Sequence, residues 1–67
     1  MNVDKIKSRV KEIRDISRDD ERAHIFEDNL FHDFVVCIAE GNFEGDIKEG
    51  AKEVLKSLDI DFARWCA

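Results

Sequence analysis

Sixty-seven residues, 43 % of them apolar, form one small domain, too short for a second core and too hydrophobic for a disordered tail. No proline and only three glycines exclude a turn-rich β architecture, and a net charge of −5 argues against direct nucleic-acid binding. The acids are unevenly spread: residues 23–47 carry Glu27, Asp28, Asp33, Glu40, Glu44 and Asp46 with no Lys or Arg.

The first predicted helix covers roughly Val3 to Ser17, with Asn2 as its cap. Val3, Ile6, Val10 and Ile13 follow steps of three and four, a narrow amphipathic seam with charged residues between. Such a seam can serve the chain's own core or a second copy. Ile6, Val10 and Ile13 are therefore candidate partner-binding residues for a homodimer, with residues 1–18 as the oligomerising segment and 19–67 as the core helices.

Ser17-Arg18-Asp19-Asp20-Glu21 breaks the pattern, and Ser17 or Asp19 can cap a second helix running from about Asp20 to Glu40. Its apolar positions, Ala23, Phe26, Leu30, Phe31, Phe34, Val35, Cys37 and Ile38, span nearly half the helical circumference. A face that wide predicts the central helix of the bundle, touching two neighbours. Gly41-Asn42 is a strong stop. After the Phe43-Glu44-Gly45 loop, Asp46 and Glu49 form a capping-box-like pair for a third helix, whose predicted buried stripe is Ile47, Ala51, Val54, Leu55 and Leu58. Asp61 is then placed to cap a last turn through Phe62 to Cys66, with Phe62 and Trp65 facing the core. The fold class expected is all-α: a single domain of three main helices with a short C-terminal helical turn.

Glu27 is the anomaly of the second helix, a carboxylate near the middle of its apolar stripe. A lone buried carboxylate is costly, so it needs a partner. Arg64, between Phe62 and Trp65, is the best candidate, because a guanidinium binds both carboxylate oxygens at once. The pair is expected to fasten the tail onto the second helix.

His24, Asp28 and His32 lie one turn apart on a stripe offset from the apolar face, which predicts side chains largely in water. Their types suit a transition metal, but no closed ligand set accompanies them and HExxH is absent. They are weak metal candidates, and no cofactor is expected. An acid–base role for Glu27 with His24 is the less favoured enzymatic reading. Phe26 at the edge of the stripe and Phe43 in the loop are the aromatics best placed to stay exposed and dock a partner. Two cysteines, Cys37 and Cys66, are too few for a disulfide scaffold, and the charged start and the lack of a long apolar run predict a cytoplasmic protein with reduced thiols.

From Asp19 onward a pattern emerges: Asp20-Glu21, Ala23-His24, Glu27-Asp28, Leu30, Ile38-Ala39-Glu40-Gly41, Ala51, Leu55, Ile60-Asp61-Phe62 and Arg64-Trp65-Cys66. It resembles short proteins encoded in bacteriophage and prophage genomes, over roughly the last three quarters of the chain. The resemblance implies a bacterial or phage-infected host and a common fold; it implies no reaction. The reading it favours is non-catalytic binding to a protein partner. The alternatives are an acidic mimic of nucleic acid that inhibits a host protein and, after it, a metal-dependent or acid–base enzyme.

Overall fold

The Asn2 side chain accepts a hydrogen bond from the Lys5 backbone N–H and so starts α1 (Val3–Asp15). Asp19 does the same for Arg22 at the start of α2 (Asp20–Glu40), and Asp46 caps the Lys48 and Glu49 amides of α3 (Ile47–Leu55). Each cap satisfies amides that have no partner within the helix. Gly41 ends α2 at φ 69°, a left-handed conformation that a glycine adopts without a Cβ penalty. A 3-10 turn (Lys56–Asp59) continues α3. The computed structural model describes residues 1–64 of this all-α bundle, and no strand occurs among them.

The hub of the bundle is α1 and not, as expected, α2. α1 packs broadly on both α3 and α2, which meet each other only narrowly. Its seam is consumed in doing so: Ile6 and Ile13 are 0 % and 1 % exposed, and Val10 is 4 % exposed. This corrects the assignment of Ile6, Val10 and Ile13 to a homodimer. A helix lying between two others uses both sides of a narrow seam; Ile16, the next position of that seam, and Met1 pack against the same core. Residues 1–18 thus belong to the core together with the remainder of the chain.

The wide apolar face of α2 is used only along its middle. Ala23, Glu27, Leu30, Phe34 and Cys37 are buried at steps of four and three, Phe26 and Phe31 are half-buried, and Val35 and Ile38 are exposed. With α1 as the hub, α2 has one broad neighbour and the margins of its face remain in water.

The register of α3 is the second correction. Of its expected stripe, Val54 is buried and Ala51 half-buried, but Ile47, Leu55 and Leu58 are exposed. The inward line is Gly50, Glu53, Val54 and, in the 3-10 turn, Ser57. The cause is Phe43. Its ring stands edge-on to Phe34, with centroids 5.9 Å apart at 88°, and lies against Gly50, where a Cβ would come within 2.5 Å of it. Phe43 is therefore a wedge between α2 and α3, half-buried, and the loop is further tied to the chain start by the Glu44 amide donating to the Met1 carbonyl.

The last segment is extended rather than helical. Residues 61–64 form no helix, and Ile60 and Phe62, two apart, are both buried. The helical turn lies earlier, at Lys56–Asp59, and the Ala63 amide donates to Asp20 at the start of α2. Trp65 and Cys66, and with them the expected Phe62–Trp65 pair, lie outside the described residues.

Replacing Gly50 by Ala tests the wedge. Helix propensity alone would favour alanine by about 1 kcal/mol. Displacement of the Phe43 ring should reverse the sign, leaving the variant destabilised by roughly 1–2 kcal/mol in urea melts. In a Phe43→Ala background the same change should become stabilising. Stabilisation in both backgrounds would mean that the ring does not rest on Gly50.

Candidate functional site

Glu27 is 5 % exposed on the inner face of α2, and the structure brings Arg64 to it. Arg64 Nε donates to Oε1 at 2.8 Å and Nη2 donates to Oε2 at 3.1 Å, a two-pronged contact. The same guanidinium also donates to three carbonyls of its own segment: Phe62 at 3.2 Å through Nη1, and Ser57 at 2.9 Å and Ile60 at 3.0 Å through Nη2. It lies over the Phe62 ring, 3.8 Å from the centroid. The Glu27 carboxylate holds the Arg64 pKa above its ordinary value, chiefly through that hydrogen bond. These carbonyl contacts explain why 61–64 is not a helix: the backbone curls around the guanidinium.

His24 departs from expectation. Its side chain is 15 % exposed, and its Nε2 lies 2.9 Å from Asp28 Oδ2. Its Nδ1 is buried without a hydrogen-bond partner among the described residues. His24 was expected in water and is instead largely covered, one turn after Asp20, to which the Ala63 amide donates. His32 turns away to Asp33, with Nδ1 and Oδ1 3.2 Å apart. The three metal candidates therefore split into two separate pairs, and no group of three or more His, Cys, Asp or Glu among the described residues is arranged to hold a metal ion. Glu27 and His24 are likewise bonded to different partners, so they do not form an acid–base pair.

Two contacts carried no sequence signal. Arg9 of α1 donates to Asp33 of α2 at 2.8 Å, with both side chains partly exposed. Ser57 is fully buried, and its hydroxyl has no partner among the described residues while its carbonyl serves Arg64. A shallow depression of about 180 Å³ between α1 and α2 is lined by Arg9, Glu12, Phe26 and Asn29. It is smaller than the several hundred Å³ of a ligand pocket. Phe26 is half-buried at its edge, with the Arg22 guanidinium 5.7 Å from the ring centroid. Cys37 is a buried free thiol. No helix among the described residues is long and apolar enough to cross a membrane.

Compared with known proteins, the chain matches no family model, no curated protein and no solved structure.

Arg64 and Glu27 should be energetically coupled. Arg64→Met strands a buried carboxylate and frees three carbonyls, so it should cost about 3 kcal/mol or more. Glu27→Gln leaves the guanidinium its carbonyls and its partial access to water, so it should cost less. The double variant should be well short of the sum, with a coupling of roughly 1–3 kcal/mol in denaturant melts. Additive effects would show that the pair is not a unit.

Acid should weaken the fold through two paired carboxylates, the partly exposed Asp33 and the largely covered Glu53. Asp33 is held below its ordinary pKa first by the hydrogen bond from His32 and then by Arg9; Glu53 is held down first by Lys56. Their folded pKa values lie below the unfolded ones, so the native state binds fewer protons. Their stabilisation is present above the ordinary carboxylate range, about pH 4, and is lost as pH falls through the folded values. The Asp33→Asn, Glu53→Gln double variant should lose less stability than wild type between neutral and acid pH. Parallel pH–stability curves would contradict this.

Proposed function

We propose that this protein acts by binding a protein partner and catalyses no reaction, as a small phage- or prophage-related protein in the cytoplasm of a bacterial or infected cell. The observation that carries the reading is a set of large aliphatic side chains left in water on α2, α3 and the turn that follows: Val35 is 62 % exposed, Leu55 53 %, Leu58 50 % and Ile38 44 %. Exposed aliphatic side chains grouped on neighbouring helices suit a contact surface better than a pocket. The groups that an enzyme would need are engaged structurally. Glu27 is fastened to Arg64 and His24 to Asp28.

The acidic-mimic alternative draws on residues 23–47, yet several acids there are already occupied. Glu27 is buried against Arg64, Asp33 is held by Arg9, and Asp46 caps α3. Their field is partly neutralised, which favours apolar docking over electrostatic mimicry.

A pull-down from bacterial lysate at low and raised salt, with wild type and with a Val35→Gln, Leu55→Gln variant, separates these readings. Docking predicts capture that survives salt and is lost in the variant. Capture that the variant retains but that falls away as the Debye length shrinks from about 10 Å towards 3 Å would support the mimic instead.

A further inference from the structure

Two contacts define how α2 and α3 lie. Phe43 touches Phe34 in the C-terminal half of α2 and Gly50 near the start of α3. Arg64 joins Glu27, in the N-terminal half of α2, to the Ser57 carbonyl just beyond the end of α3. The two helices are therefore antiparallel neighbours.

Part of their exposed aliphatics falls on one shared side, whereas Ile25 and Val36 of α2 stand on its outer face, opposite the buried line. On α2, Asp33 marks the flank toward α1, through Arg9, and Glu27 marks the flank toward the tail. At about 100° per residue, Phe31, Val35 and Ile38 stand on the Glu27 flank. On α3, Glu53 marks the flank toward α1, since Lys7 of α1 lies close enough to act on it. Ile47 and Leu55 stand across Gly50 and Val54 from Glu53, and Leu58 in the following turn extends their line. Two apolar stripes thus border one face of the molecule, away from α1.

The charges at the edges of this face differ between the helices. Next to Val35, the rim of α2 carries Asp28, which meets His24 with one oxygen yet is 67 % exposed, and α2 has no Lys or Arg beyond Arg22. Next to Leu55, the rim of α3 carries Lys48 and Lys52, with Lys52 71 % exposed and loosely paired to Glu49 at 3.5 Å. A two-fold axis parallel to the helices would lay α2 of one copy on α3 of the other. It would bury both stripes and set Asp28 against Lys52 twice over.

We propose that the α2–α3 face is a self-association surface whose occupant is a second copy of this chain, docked about that two-fold axis. This names the partner for the apolar surface on which the protein-binding reading rests. It replaces the first helix as the dimer element, because α1 is enclosed while the α2–α3 stripes are open. It also suits a domain whose fully buried large side chains are few: Ile6, Ile13, Leu30 and Val54, with Ser57.

Sedimentation equilibrium over a wide concentration range tests the proposal. Wild type should dimerise reversibly, and Val35→Gln with Leu55→Gln should weaken the dimer at least about tenfold with an unchanged helical circular dichroism spectrum. Asp28→Lys alone and Lys52→Glu alone should each weaken it, because each homodimer then holds two like-charge contacts. Mixing those two variants should restore a heterodimer in which both contacts are attractive. A wild type that stays monomeric at millimolar concentration, or a dimer indifferent to the stripe and charge changes, overturns the proposal. A monomer whose lysate capture is still lost with the stripe would leave the protein-binding reading standing without self-association. Loss of both would remove both.

Discussion

The Glu27–Arg64 contact is the constraint from which the C-terminal third of the molecule takes its shape. A carboxylate at 5 % exposure cannot remain charged in an apolar setting without close compensation. Arg64 supplies it, and in doing so fixes how the last segment must run. With the guanidinium bonded to Glu27 and to the carbonyls of Ser57, Ile60 and Phe62, the chain wraps its own side chain. Ile60 and Phe62 are then turned into the core as an extended pair. One residue thus stands in for the capping that the end of a helix would otherwise need, and it links three pieces of chain that share little direct packing. Buried ion pairs are not strong stabilisers in themselves. What this one supplies is position: a tail without it has several apolar ways to settle, and with it has one.

A second constraint acts at the other end of α3. Gly50 admits the Phe43 ring, and the helix is turned so that Gly50, Val54 and Ser57 look inward. The small residues let the elements approach closely, and the larger aliphatics on the same helix are rotated to the outside. The fold therefore gives up burial of Leu55 and Leu58 in exchange for a wedged loop and close contact around Ser57. The orphaned Ser57 hydroxyl is the local cost of that packing, since a buried hydroxyl without a partner is destabilising.

How much of this was legible in the amino-acid order depends on whether the signal was local. The caps Asn2 and Asp46 and the Gly41 stop act on amides and carbonyls a few residues away, so residue type and spacing were enough; for α2 they left Ser17 and Asp19 open, and Asp19 is the cap. Glu27 was legible for a different reason: it breaks its own helix's pattern, and a broken pattern demands a partner. The hub was not legible. A wide face on α2 looks like the face of a central helix, but width measures only how much could be buried, and the narrower, uninterrupted seam of α1 is the one buried on both sides. The register of α3 was hidden because a stripe of large aliphatics outweighs a line of small residues in any periodicity argument. The small residues prevailed for a reason of shape, the Phe43 ring, that lies outside the helix. The tail misled likewise, since its local spacing fits a helical turn whereas the carbonyls are claimed by a side chain.

The same three outcomes bear on function. Had α2 been the hub, its margins would have been covered and α1 would have been the open element. Because α1 is enclosed, the uncovered apolar margin moves to α2 and α3, where the acids of one helix and the lysines of the other border it. Small domains bury a low share of their surface, roughly 60 % at this size, and so gain proportionately more from association than large ones do. A mutation that improved the monomer by turning Leu55 inward would have to expel Phe43 from Gly50 or Arg64 from Ser57, undoing the wedge or the clasp. Leu55 and Leu58 are thus held outside by the interactions that define the fold. This couples the architecture to the face proposed for docking: whatever stabilises the clasp and the wedge also keeps Leu55 and Leu58 outside.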